Sequence, residues 1–165
     1  MGVPTIFLGY IEEAWPGNAA GGDAAFLAHL QATAASISAH NEAVLSALPL
    51  VDAFPPLSRP MFAWPPADAP DIVYRNRILH FAACVKNADF VARDWLDKFE
   101  TLLRQLYWQS AYVRIQPTYM AALEFKWEVA SPWCDELCKG RLGPIGDWTF
   151  TSTIDAAELE RLRDG

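Results

Sequence analysis

Apolar residues between positions 91 and 106 recur at spacings of three and four: Val91, Trp95, Leu96, Phe99, Leu102, Leu103 and Leu106. That spacing puts one wide apolar stripe on a helix. Arg93, Asp94, Asp97, Lys98, Glu100, Thr101 and Arg104 fall on its other side. Asn87 is placed to cap the first turn, and Asp94–Lys98 and Glu100–Arg104 are acid-before-base pairs at i,i+4. The period then changes to two. Tyr119, Ala121, Leu123, Phe125, Trp127 and Val129 alternate with Met120, Ala122, Glu124, Lys126 and Glu128. This predicts a strand with one packed and one wet face. Together with residues 107–116 it forms a hairpin whose turn is expected near Gln116, Pro117 and Thr118.

The remaining elements follow from the same patterns. Residues 4–12 are apolar on both faces, which suits a strand inside a sheet. Pro16, Gly17, Gly21 and Gly22 break regular structure, and Asp23 can cap a helix over 24–48. Its stripe is Phe26, Leu27, Leu30, Ala34, Ile37, Val44, Leu45 and Leu48, and Pro49 stops it. Residues 49–71 hold Pro49, Pro55, Pro56, Pro60, Pro65, Pro66 and Pro70, so a long irregular loop is expected, with one short strand at 60–64. Phe54, Met61, Phe62 and Trp64 argue that this loop is ordered, either as a cover over the core or as part of a binding face.

Residues 71–86 read as extended, with Val73, Arg75, Arg77, Leu79, Phe81, Ala83 and Val85 on one face. A helical turn is expected at 132–138 and a last strand at 147–154, with Trp148 and Phe150 together. Asp155 and Glu158 resemble a capping box that starts a short terminal helix. The chain thus predicts a single α+β domain over 1–165. Its sheet is mostly antiparallel, with two longer helices packed on one face and a short C-terminal helix.

Composition narrows the function. The chain has 165 residues, 52% hydrophobic and 20% charged, with a net charge of −7. That balance opposes binding to nucleic-acid phosphates and suits a basic protein partner. The N-terminus lacks a basic signal-like region, and the apolar run 3–11 is too short to span a membrane. Three cysteines do not make a disulfide framework. These features point to a cytoplasmic protein with no membrane partner.

Candidate chemistry is sparse. Cys134 and Cys138, with Cys84, lack the fourth ligand that structural zinc requires, so neither a metal nor a cofactor is expected. His80 and Cys84 share a face of the predicted strand but lie too far apart along it for proton transfer, and read as a half-buried pair. His29 and His40 are eleven residues apart on the first helix. Glu124 and Glu128 flank Lys126 on a wet strand face and do not suit acid–base work. No nucleophile elbow, phosphate-binding glycine loop or His-Glu-x-x-His helix occurs, and no catalytic residue is assigned. The candidate partner-binding residues are Asp94, Asp97, Glu100, Glu124 and Glu128, with the loop aromatics Phe62 and Trp64. The competing reading is an ordinary solvated surface, given the interspersed Arg93, Lys98 and Arg104.

The stretch WLDKFETLLRQLYWQSAYVRI followed by YMAALEFKWEV carries Trp95, Phe99, Tyr107, Trp108 and Trp127. It resembles a helix-plus-hairpin unit of small bacterial proteins, some of them immunity proteins of polymorphic or type VI secretion toxins. The resemblance covers about residues 75–130. It implies a small acidic cytosolic protein without catalytic residues, which binds a cognate toxin and blocks its active site. A basic, nuclease-type toxin would match the charge. Two other classes stay open. One is a small-molecule-binding or enzymatic domain with an aromatic-lined pocket. The other is a structural or assembly subunit of a phage or secretion system, self-associating through Phe62 and Trp64, with a homodimer as the expected form.

Overall fold

The computed structural model describes residues 3–14, 24–66, 68–69, 76–86, 92–129 and 147–161. The elements in chain order are β1 (Pro4–Glu13), α1 (Ala24–Ser46), a 3-10 turn (Arg59–Met61), β2 (Phe62–Ala63) and β3 (Ile78–Lys86). They continue with α2 (Ala92–Leu103), β4 (Trp108–Pro117), β5 (Leu123–Val129), β6 (Trp148–Ser152) and α3 (Ala156–Arg161). The six strands form one sheet in the order β2-β3-β1-β4-β5-β6, antiparallel at every pairing. The fold is α+β.

Strand β1 lies inside the sheet, between β3 and β4. Both neighbours run antiparallel to it, so α2, which joins them, crosses over β1. The inner face of the sheet receives α2. Phe7 and Ile11 of β1, Leu79 and Phe81 of β3, Val113 and Ile115 of β4, and Phe125 and Trp127 of β5 are all buried there. Helix α2 buries Trp95, Leu96, Phe99, Leu102 and Leu103 against them, as its stripe predicts. The aromatic rings form a continuous chain across the sheet. Phe62 meets Phe81 at 5.4 Å, Phe81 meets Phe99 at 5.3 Å, Phe99 meets Trp127 at 5.3 Å and Trp127 meets Phe150 at 5.2 Å. Gly9 faces this core, where a Cβ would fall 2.0 Å from the Tyr112 carbonyl oxygen and 2.6 Å from the Phe81 ring. Only glycine lets that ring and strand approach so closely.

Helix α1 joins the same core through Leu45, with Val44 and Leu48 packed alongside, while Ile37 packs with Ala14 and Tyr107. Helix α3 adds Leu159, and the Glu158 N–H donates to the Asp155 carboxylate at 2.7 Å, the expected cap.

Several expectations need correction. The hairpin turn is displaced: β4 runs through Pro117, and residues 118–122 form the turn. Tyr119 is therefore 83% exposed, and Ala121 is exposed too, rather than on the packed face. Pro117 can end β4 because its pairing with β5 stops at Ile115–Leu123, where a missing N–H costs nothing. Strand β3 starts at Ile78, and His80 and Cys84 are exposed rather than half-buried. The pairs Asp94–Lys98 and Glu100–Arg104 give way to tertiary partners. Lys98 bonds to Asp52, Glu100 accepts from the Trp127 indole at 2.9 Å, and the Arg104 guanidinium lies 4.3 Å from the Trp148 ring centre. The ion pair on α2 is instead Arg93–Asp97, at 3.1 Å. The caps Asn87 and Asp23, Val91, the side chains of Phe26, Leu27 and Leu30, Val73, Arg75 and the turn at 132–138 lie outside the described residues.

Candidate functional site

The proline-rich loop is built as a closed, anchored unit. The Arg59 N–H donates to the Pro49 carbonyl at 2.9 Å, which joins the two ends of segment 49–59. Inside it, Asp52 accepts from the backbone N–H of Ala53 at 2.8 Å and of Leu57 at 3.0 Å. Lys98, from α2, then donates to the Asp52 carboxylate at 2.7 Å and to the carbonyls of Ala53 at 2.8 Å and Pro55 at 2.9 Å. Those three bonds use all three of its protons. The Lys98 hydrogen bond, aided by the Leu57 N–H, holds the Asp52 carboxyl below its ordinary pKa. The Trp95 indole donates to the Pro56 carbonyl at 2.9 Å, and Leu57 is buried in the core. The Phe54–Pro55 bond is cis.

This anchoring turns three apolar side chains outward. Leu50 is 74% exposed, Val51 89% and Phe54 55%. A groove of about 430 Å³ lies beside them, between the loop and α2. Leu48, Pro49, Leu57 and Leu102 supply its apolar lining, and Asp52, Asp97, Lys98, Thr101 and Gln105 its polar lining. Exposed apolar residues held on an ordered backbone are a feature of protein-docking surfaces, because little conformational freedom is left to lose on binding.

The structure disperses the candidate partner-binding residues. Asp94 is exposed on α2 and Asp97, paired with Arg93, lines the groove. Glu100 turns toward the sheet to meet Trp127. Glu124 and Glu128 alternate with the buried Leu123, Phe125 and Trp127, so they point to the outer face of the sheet, away from α2. There they pair with Arg114 at 3.2 Å and Lys126 at 2.7 Å. The five carboxylates thus occupy two sides of the molecule rather than one docking face. Phe62 is buried against Phe81, and Trp64 is half-buried under the Arg59 guanidinium at 4.2 Å. The exposed loop residues that sequence reasoning missed are Leu50 and Val51, with Phe54 noted only as a sign of order.

It also missed a buried polar junction at the end of β1. Glu13 and Arg77, 2% and 1% exposed, pair at 2.9 Å. Glu13 accepts further bonds from Ser38 at 2.8 Å and Asn41 at 3.1 Å. Arg77 also reaches Glu42, the Ser38 carbonyl at 3.1 Å and the Pro65 carbonyl at 3.3 Å. Burial opposes the Arg77 charge, but the hydrogen bonds with Glu13 and Glu42 outweigh it and raise its pKa. Every charged oxygen and donor named here has a partner, so the junction acts as a clamp joining β1, α1 and the loop.

Among the described residues, no group of three or more His, Cys, Asp or Glu is placed to hold a metal, and Cys134 and Cys138 lie outside them. No helix among them is long and apolar enough to cross a membrane. Compared with protein-family models, with curated proteins and with solved structures, the chain matches none of them.

Proposed function

We propose that the protein is a non-enzymatic binding protein, an immunity protein that neutralises a basic cognate toxin by covering its active site. The observation that carries this reading is the anchored segment 49–59. The half-buried Lys98 fixes its backbone by three hydrogen bonds, and Leu50, Val51 and Phe54 stand out from it. Such a knob inserts into a partner's cleft at a low entropic cost. Asp97, paired with Arg93, lines the groove beside this loop and Asp94 is exposed on the same helix, and the net charge of −7 steers a basic domain toward the chain. The aromatic residues that a small-molecule pocket would use fill one another's space instead, since Trp95, Phe99 and Trp127 are fully buried.

The test is binding to the product of the adjacent gene, with its toxicity assayed in cells that lack this protein. A tight complex that suppresses toxicity is expected. Combining Leu50→Ser, Val51→Ser and Phe54→Ser should weaken it by about 100-fold or more while the circular dichroism spectrum is kept. A neighbour that neither binds nor kills defeats the proposal. A complex indifferent to the three serines removes the loop from it.

A further inference from the structure

The outer face of the sheet has a composition unlike the rest of the surface. Strand register sets its residues side by side. Leu8 lies between Ala82 of β3 and Arg114 of β4, and Ile6 between Cys84 and Gln116. Tyr10 lies between His80 and Tyr112, its ring 5.7 Å from that of Tyr112. Ile6 is 43% exposed and Leu8 and Ile78 38% each, and every outward residue of β3 is exposed. The β1–β3 half is therefore open and carries an aliphatic centre of Ile6, Leu8 and Ala82, with His80, Tyr10, Glu12 and Lys86 around it. The β4–β5 half is a ladder of opposite charges, with Arg114–Glu124 and Lys126–Glu128 paired. Glu128 holds the Lys126 ammonium above its ordinary pKa, and burial with Glu124 does the same for the Tyr112 phenol.

Among the described residues, the charges on this face cancel. Lys86, Arg114 and Lys126 stand against Glu12, Glu124 and Glu128, although the whole chain carries −7. The acidic excess of the described residues thus lies on other surfaces. A basic partner gains no attraction here, whereas a second copy of this acidic chain, repelled elsewhere, meets no net repulsion.

We propose that this face joins two copies of the chain, sheet against sheet, about a two-fold axis near Leu8. A two-fold there sets the aliphatic centre of each copy against that of the other and leaves both charge ladders at the rim, an apolar core with a polar border. Face-to-face sheets pack about 10 Å apart, close enough for Ile6, Leu8 and Ala82 to interdigitate. This interface is separate from the loop 49–59 and leaves both copies of that loop free.

Sedimentation equilibrium of the full chain over about 1–100 μM tests it. The expected result is a dimer for the native chain, with dissociation about 100-fold easier in Leu8→Arg and in Ala82→Glu. Both positions face outward, so either variant suffices if the other fails to fold. Phe54→Ser, on the loop, should leave the dimer intact. Cys84 lies on the same face and reports on it. Its alkylation, read at the peptide level, should be slow in the native dimer and faster in Leu8→Arg. A native chain that is monomeric throughout this range overturns the proposal. So does a dimer that neither variant weakens, or Cys84 protection that appears only when another protein is added.

Discussion

The two long helices are held to the molecule by opposite means. Helix α2 presents Trp95, Leu96, Phe99, Leu102 and Leu103 to the sheet, an unbroken apolar side. Helix α1 is rich in alanine, several of which are exposed, and its buried residues include Thr33, Ser38 and Asn41 beside Ile37 and Leu45. Apolar burial is strong but non-directional, so it holds α2 down without choosing its position finely. Buried hydrogen bonds tolerate little displacement. The Glu13–Arg77 pair with Ser38 and Asn41 therefore sets where α1 sits, and through the Pro65 carbonyl it also reaches the long loop.

The largest expected effect strikes α2. Trp95→Ala removes a fully buried ring that touches Phe7, Phe81 and Phe99. It should cost about 3–5 kcal/mol in denaturant unfolding. It should also collapse the near-ultraviolet circular dichroism of the whole aromatic chain. Slightly smaller is Arg77→Met, at about 3 kcal/mol, because it leaves the Glu13 carboxylate buried with its cationic partner gone. Adding Glu13→Gln should restore part of that loss, since the remaining group is then uncharged. Hydrogen exchange separates the two modes of attachment. Arg77→Met should expose α1 amides while those of α2 stay protected. Equal loss in both helices would mean that they are not held independently.

Asn41→Ala is milder. The Asn41 amide donates to Glu13 and to the Tyr107 carbonyl at 3.0 Å, and its oxygen accepts from the Tyr107 N–H at 2.9 Å. Removal takes the Asn41 oxygen from the buried Tyr107 N–H and one donor from Glu13, while the Tyr107 carbonyl keeps the Ala14 N–H at 3.1 Å, at a cost of about 1–3 kcal/mol. A urea midpoint that does not move would show that water replaces the amide.

These differences also explain what could be read from the chain itself. The α2 stripe and the alternation along β5 were legible because each is a local period of large apolar residues. The buried pair was not, because Glu13 and Arg77 are distant in sequence and each looks like an ordinary charge at a strand end. The i,i+4 pairs on α2 were plausible but weak, worth about 0.3–0.5 kcal/mol each. Three hydrogen bonds to the loop outcompete one such pair for Lys98. In the loop, the large aromatics Phe62 and Trp64 turn inward, although their size alone suits a binding face equally well. Leu50 and Val51 follow the helix-ending Pro49, where the chain changes direction and one stripe cannot bury consecutive apolar residues. That is the only local hint of their exposure.

The smallest effect on overall stability tests the charged anchor that joins α2 to the candidate site, beside the Trp95–Pro56 hydrogen bond. Lys98→Met keeps the aliphatic stem but removes three hydrogen bonds to the loop, and should cost about 1 kcal/mol globally. Locally it should do more, lowering exchange protection of the Ala53 and Leu57 amides that donate to Asp52. Acid provides the same perturbation in the native chain. The folded-state pKa of Asp52 is depressed, so its contribution is complete above the ordinary value of 3.8 and is lost as the pH falls through the lower folded value. Native loop protection should hold at neutral pH and fall below about pH 3.8. In Lys98→Met it should already be low at neutral pH and change less on acidification. Matching acid profiles in the two proteins would mean that the loop is held by Leu57 in the core and by the Trp95–Pro56 hydrogen bond, and that the Lys98–Asp52 pair adds nothing directional to the attachment of α2.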